Sequence, residues 1–285
     1  MTTYAVTGAT GPFGHHAVEE LLSRGVPAAD VVAVVRTPSK AADLAERGVQ
    51  VREGDYSRPE TLPAALAGVD RLLLVSGNEA GQRIPQHTAV IEAAKGAGVG
   101  RIVYTSILRA DTTSNPLAGD HVGTEQALHA SGIPATVLRN GWYVENYTSQ
   151  LGQYLATGEV LGATNGRKVS GAPRADYAAA AAAALVADVD GDVTYELGGP
   201  AFSFGDLAAT ITEVTGTTVV SRDVSVAEYA EALQQHGLDA GTVGFVAALD
   251  ASIAAGDLET DSTDLADLLG RPVTPLADAV RAAQA

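Results

Sequence analysis

The sequence predicts an α/β fold: a Rossmann-type doubly wound parallel sheet, followed by a smaller, mostly helical C-terminal region. Three observations carry this. Apolar runs alternate with helical patterns through the first half of the chain, as strands covered on both faces require. The first run, Tyr4-Ala5-Val6, passes directly into Gly8, Gly11 and Gly14 at three-residue spacing. After Asn140 the alternation fades into a stretch rich in Gly, Tyr and Asn. Residues 1–140 are therefore expected to bind a nucleotide and 141–285 to cover a substrate, with about 174–198 returning to the sheet.

Gly8 ends the first strand in a tight turn, Gly11 lets phosphates approach the backbone, and Gly14 lets the following helix pack closely. Pro12 suits the first helical position, Thr10 and Phe13 complete the loop, and Val18, Leu21 and Leu22 mark the helix face. A glycine-lined helix start favours a pyrophosphate, so a dinucleotide is the expected ligand. The second strand, Val31–Val35, runs into Arg36-Thr37-Pro38-Ser39-Lys40 without the carboxylate that would hold ribose hydroxyls. Arginine instead grips a 2′-phosphate with paired donors. One charge-assisted hydrogen bond is worth roughly 1.5–3 kcal/mol, so NADP(H) is expected over NAD(H).

Val49–Arg52 reads as the third strand and about 59–66 as a helix. Leu72–Val75 is the fourth strand, about 83–97 a helix and Arg101–Ser106 the fifth strand. A helix over about 120–130 and the strand Ala135–Arg139 follow. Right-handed crossovers then give strand order 3-2-1-4-5-6, with ligands at the carboxyl ends. Further on, the alanine run Ala178–Ala184 reads as a helix capped by Asp176, and Val193–Leu197 as a strand returning to the sheet. Helices are expected over Phe204–Val214 and Val226–Gln235, the second capped by Ser225.

Hydrophobic content of 46% and a mean hydropathy of +0.10 fit a compact globular protein. A net charge of −16, with lysine only at Lys40, Lys95 and Lys168, argues against nucleic-acid or anionic-membrane partners. No cysteine is present, which removes disulfides and thiol chemistry, and the histidines and carboxylates show no metal-ligand spacing. Met1-Thr2-Thr3 leads straight into a strand, and no apolar run approaches the roughly 20 residues of a membrane helix. A cytoplasmic protein is expected, with a homodimer as the candidate assembly.

Residues at the carboxyl ends of the strands are the site candidates. Asp55 and Tyr56 follow strand three, within reach of an adenine edge. Ser76-Gly77-Asn78 would let the chain pass against the adenosine ribose and phosphates. Arg83 and His87, four apart on one helix face, are expected on the nicotinamide side. Strand six runs into Arg139-Asn140-Gly141-Trp142-Tyr143-Val144-Glu145-Asn146, which holds the chain's only Trp. Flat aromatic side chains suit a planar acceptor, and amides orient a carbonyl or a carboxamide.

These residues resemble the NmrA-like atypical short-chain dehydrogenase/reductases, and within them the bacterial type-two NAD(P)H:quinone oxidoreductases. The likeness covers Thr7–Gly11, Ala33–Arg36 with Pro38 and Lys40, Gly81-Gln82-Arg83 with Pro85-Gln86-His87, and Tyr104-Thr105-Ser106. It continues through Leu138–Tyr143 with Glu145-Asn146, Arg174-Ala175-Asp176-Tyr177 and Leu268-Leu269-Gly270-Arg271. Typical short-chain dehydrogenases use a Tyr-x-x-x-Lys pair, but none of the nine tyrosines has a lysine four residues later. The expected helix carries His121-Val122-Gly123-Thr124-Glu125, and Glu125 would raise a neighbouring phenol's pKa instead of lowering it. No catalytic side chain is assigned. The resemblance implies direct hydride transfer from NADPH to a quinone or similar planar acceptor beside Tyr104, Asn140, Trp142 and Tyr143. It also implies cofactor contacts from Thr105, Gly141 and Glu145. A non-catalytic redox sensor of NmrA type, or a reductase of a dye, imine or enone, stays open as an alternative.

Overall fold

The computed structural model describes residues 1–79 and 81–284. The chain divides into two compact units. The first comprises Met1–Ile107, Gly119–Asn140 and Arg174–Tyr195; the second comprises Leu108–Ala118, Gly141–Pro173 and the residues from Glu196 on.

In the first unit, strands β1 (Tyr4–Thr7), β2 (Val31–Val35), β3 (Gln50–Glu53), β4 (Arg71–Leu74), β5 (Arg101–Ile107) and β6 (Ala135–Asn140) alternate with helices. The helices are α1 (Pro12–Ser23), α2 (Ala42–Glu46), α3 (Leu62–Leu66), α4 (Arg83–Ala97) and α5 (Ala118–Ser131). The strand Val193–Leu197 adds to the sheet beside β6, and the full order reads Val193–Leu197, β6, β5, β4, β1, β2, β3. This is the expected order with the returning strand at the edge. The pairings among β1–β6 are parallel. At the returning strand, Ala135 N–H donates to Asp192 at one end and Gly141 N–H to Leu197 O at the other, so it too runs parallel.

Side chains alternate across the sheet. Leu72, Leu74, Ile102 and Tyr104 pack with Leu62, Leu66, Val90, Ile91 and Leu128 of α3, α4 and α5. Helix Arg174–Val186 packs against α1, β4 and β5, and its alanines are small enough for close approach. Asp176, expected as its cap, lies instead inside its first turn and is buried.

The second unit has its own core, in which Tyr147, Leu151, Tyr154, Phe202, Phe204, Leu207, Ile211 and Ile253 come together. Ser203 with Asp206 and Ser225 with Glu228 form reciprocal caps, so the predicted role of Ser225 holds. Two strand pairs were not foreseen: Trp142–Tyr143 with Gly171–Ala172, and Glu159–Gly162 with Val220–Asp223. Each pairs segments distant in sequence, which short-range patterning does not reveal.

Candidate active site

The glycine loop is built as its spacing implies. Gly8 has φ of +60°, a conformation that other residues adopt at a cost. Gly11 donates its N–H to Gly8 O at 2.9 Å and caps α1 without offering a capping side chain. Pro12 occupies the first helical position, no acidic residue lies in the first turn, Phe13 is buried and Thr10 is exposed. A Cβ on Gly14 would sit 2.4 Å from Gly8 O and 2.8 Å from Gly8 C, so the helix rests directly on the turn. The positive end of α1 thus meets the carboxyl end of β1, an arrangement that draws anions.

Beyond β2, Arg36 and Lys40 are both exposed, Arg36 with 70% of its side chain open. Arg36 Nη1 lies 3.4 Å from Glu79 Oε1, a partner that sequence spacing did not indicate. Beyond β3, a Cβ on Gly54 would meet Val34 Cγ1 at 2.5 Å, which pins the strand exit. Asp55 is held in its own turn, where Oδ1 accepts Ser57 N–H at 2.9 Å and Oδ2 faces Arg58. Tyr56 departs from expectation. Its hydroxyl points inward, between Thr7 Oγ1 and Val75 O (2.9 Å), and burial pushes its pKa up, so it remains a protonated donor.

Arg83 and His87 also differ from their expected role on the nicotinamide side. His87 is fully buried, and Gly77 N–H donates to its Nε2 at 2.9 Å. Accepting there leaves the ring proton on Nδ1, which lies 2.9 Å from Thr124 Oγ1, and Thr124 in turn donates to Asp120 O. Burial, and secondarily the Arg83 charge, hold the His87 pKa down to about 3, so the ring is neutral. Arg83 Nε donates to Gly77 O at 2.8 Å, and its Nη1 lies 3.8 Å from Asp120 Oδ2. Both residues therefore hold the Ser76-Gly77 loop from behind. Ser76 N–H is fixed by Thr105 Oγ1 at 2.8 Å, while Asn78 is exposed.

Tyr104 needs the same correction. It is wholly buried, its hydroxyl lies 2.8 Å from His121 Nδ1, and its ring meets His87 edge-on at 5.5 Å. Strand alternation turns it toward α4 and α5, so it presents no face to an acceptor. Burial raises the Tyr104 pKa and lowers that of His121 to about 3, which leaves both neutral. Glu125 is clasped by Arg139 through Nε at 3.1 Å and Nη2 at 2.8 Å, and Ser106 Oγ donates to it. At the end of β6, Asn140 sits in register with Ile107 and is 3% exposed. Neither Oδ1 nor Nδ2 finds a partner among the described residues. A buried amide left unsatisfied costs about 1–3 kcal/mol, so such a group needs a reason.

In the second unit, Gly141 N–H donates to Leu197 O at 2.7 Å, and Trp142 and Tyr143 pair with Gly171 and Ala172. Trp142 is half-buried against that unit's core, and Glu145 opens the helix Glu145–Thr148. Tyr147, which sequence reasoning passed over, is buried with its hydroxyl unpaired among the described residues. Burial, with Asp250 as the next cause, raises its pKa well above the usual phenol value.

Comparison with known families decides the class. A family described as NAD(P)H-binding matches residues 8–188, from the first glycine through the alanine-rich helix. The chain belongs to this NAD(P)H-binding family. The observed features fit the group: a Gly8–Gly14 seat that excludes a Cβ, cations beyond β2, and an unsatisfied amide at Asn140. Among curated members, quinone oxidoreductase 2 of Escherichia coli is 46% identical over 97% of this chain and 96% of its own. The structure of an Escherichia coli NADPH-dependent quinone oxidoreductase complexed with NADPH matches with TM-score 0.95 and 44% identity. That match covers 99% of this chain and 100% of the other. The Citrobacter triphenylmethane reductase complexed with NADP(H) matches with TM-score 0.92 and 36% identity, over 99% and 100% of the two chains. No helix among the described residues is long and apolar enough to cross a membrane.

Proposed function

We propose that this chain catalyses NADPH-dependent, two-electron reduction of quinones. The observation that carries the reading is 46% identity to a quinone oxidoreductase over 97% of the chain. When bound, NADPH supplies the hydride, which leaves the protein to bind, orient and exclude. The residues assigned to the pyrophosphate are Gly8, Thr10, Gly11, Pro12, Phe13 and Gly14, with Arg36 and Lys40 assigned to the 2′-phosphate. Asp55, Ser76, Gly77, Asn78 and Thr105 are assigned to the adenosine side, and Asn140, Gly141, Trp142, Tyr143 and Glu145 to the nicotinamide side. Tyr56, Arg83 and His87 act behind these residues by fixing the β1, β3 and β4 exits.

The acceptor is assigned to Asn140, Trp142 and Tyr143; Tyr104, wholly buried against His121, is left out. Asn140 supports this reading because its amide is buried and otherwise unsatisfied. Glu125 and Arg139 neutralise each other, and Tyr104 has no lysine to activate it, so no side chain is assigned as proton donor. Solvent protonates the reduced quinone. A cytoplasmic location belongs to the same reading, as does the absence of a nucleic-acid partner, which the net charge of −16 supports. The assembly to test is a homodimer.

The test is steady NADPH oxidation by purified protein that depends on added benzoquinone or menadione. Saturable, quinone-dependent turnover is expected; a basal rate indifferent to quinone would overturn the quinone reading and leave the sensor or a reductase of another acceptor. The Citrobacter likeness favours a dye reductase as the second reading. It would win if a triphenylmethane dye gave the higher kcat/KM.

A further inference from the structure

Within the first unit, the exits of β2, β3 and β4 are joined by four polar side chains. Gln86 of α4 is 7% exposed, and its Nε2 donates to Ser57 Oγ beyond β3 at 3.0 Å and to Glu79 Oε2 beyond β4 at 2.7 Å. The Glu79 carbonyl accepts Gln82 N–H at 3.1 Å, so backbone and side chain are both held. The second carboxylate oxygen, Oε1, lies 3.4 Å from Arg36 Nη1. A buried amide thus fixes one oxygen of an exposed carboxylate and leaves the other turned toward Arg36.

The sheet order makes this contact a bridge. β4 and β2 flank β1, and neighbouring strands lie about 4.8 Å apart, so Glu79 and Arg36 meet across the carboxyl end of β1. The Gly8–Gly14 turn begins at that end. Ala9 N–H donates to Val34 O at 3.4 Å, which ties the turn to β2 two residues before Arg36. Val75 N–H donates to Thr7 Oγ1 at 2.9 Å and ties the β4 exit to the same strand.

We propose that Glu79 is a specificity-determining residue that competes with the 2′-phosphate of the cofactor for Arg36 and so limits the preference for NADPH over NADH. This rests on the reading above that assigns Arg36 to the 2′-phosphate. A phosphate monoester carries about −1.5 to −2 charge at neutral pH, so it is attracted by Arg36 and repelled by the carboxylate beside it. NADH presents a hydroxyl there instead, and a hydroxyl donates to a carboxylate. The segment after β2 lacks the acidic residue that holds ribose hydroxyls in NAD sites, and Glu79 brings one to the same place from β4. Arg36 selects for the phosphate, and Glu79 selects against it. Both side chains are exposed, so solvent screening keeps the effect to several-fold.

The test uses Glu79→Gln, which keeps an oxygen to accept from Gln86 and removes the charge. Glu79→Ala guards against the new amide taking over the Arg36 contact. Arg36→Met and its double variant with Glu79→Gln complete a cycle. Calorimetric binding of adenosine 2′,5′-bisphosphate and of 5′-AMP reads the adenosine end alone, with NADPH and NADH affinities and thermal midpoint measured alongside. Both Glu79 variants should bind the bisphosphate about three- to tenfold more tightly and 5′-AMP no more tightly than wild type. In the Arg36→Met background the gain should shrink. An unchanged or lower ratio of bisphosphate to 5′-AMP affinity in either folded Glu79 variant would overturn the proposal and leave Glu79 a loop residue. If Arg36→Met alone leaves that ratio at the wild-type value, the assignment of Arg36 itself fails, and the competition with it.

Discussion

Gly14→Ala adds a single methyl group to a helix, and two opposing effects decide its sign. Alanine is favoured over glycine in a helix interior by about 1 kcal/mol. Against this, the new Cβ would lie 2.4 Å from Gly8 O, 2.8 Å from Gly8 C and 2.9 Å from Ala9 Cα. All three are backbone atoms of the β1–α1 turn, so no side chain can rotate away. Overpacking of this kind costs about 1–3 kcal/mol, and the unyielding contacts argue for the upper end. The net loss is then about 2 kcal/mol, or roughly 3–4 °C in thermal midpoint for a chain of this size. Because the displaced atoms form the anion seat, NADPH affinity should fall about tenfold or more. Gly96→Ala is the control. Gly96 lies in α4, and a methyl group added there would have nothing within 4 Å, so the same chemical change should stabilise by about 0.5–1 kcal/mol. Thermal denaturation and fluorescence titration with NADPH read both variants. A Gly14→Ala protein that melts at or above wild type and binds NADPH as tightly would refute the assignment of this glycine.

Arg36→Asp should weaken NADPH roughly ten- to a hundred-fold while sparing NADH, because a carboxylate repels a 2′-phosphate; unchanged discrimination in paired titrations would remove Arg36 from the cofactor site. Asp250 is buried with its Oδ2 accepting Ala163 N–H at 2.7 Å, and burial first, then the Asp223 charge, raise its pKa to about 6. A raised carboxyl contributes stability that is complete below the unfolded value near 3.8 and is lost as pH rises through about 6. Asp250→Asn keeps an acceptor for Ala163 and cannot ionise, so its urea midpoint relative to wild type should be higher at neutral pH than at a pH of about 5. A pH-independent difference would contradict that. Arg139→Met leaves Glu125 without its cation in a nearly buried setting and should cost about 3 kcal/mol. Adding Glu125→Leu should recover much of that loss in urea unfolding, and failure to recover would mean that the pair is not the source.

Much of this site was legible from local chemistry. Glycine at positions 8, 11 and 14 can be read without coordinates because each answers a backbone demand, and the exposed place of Arg36 beyond β2 because strand-end position is local. The roles of Tyr56, His87 and Tyr104 were not legible. Residue type and position show that a polar aromatic group stands at a strand end, but not whether it points out to a ligand or in to a neighbour. That direction depends on what the adjacent strand and helix offer. Thr7 and Val75 capture Tyr56, Gly77 and Thr124 capture His87, and His121 captures Tyr104.

The amino-acid sequence by itself determined the layered sheet, its strand order and the NAD(P)H-binding end. All of these follow from short-range periodicity, turn chemistry and charge. Only the tertiary structure decided which polar groups were consumed internally and which stayed unsatisfied. Asn140 was already a candidate in the sequence, but only folding showed that its amide is buried with both polar atoms left over, and that Asn115, unremarkable in the sequence, is buried with one left over. Hydrogen-bond satisfaction is a property of the whole packed arrangement, since each donor's partner lies wherever the fold has brought it.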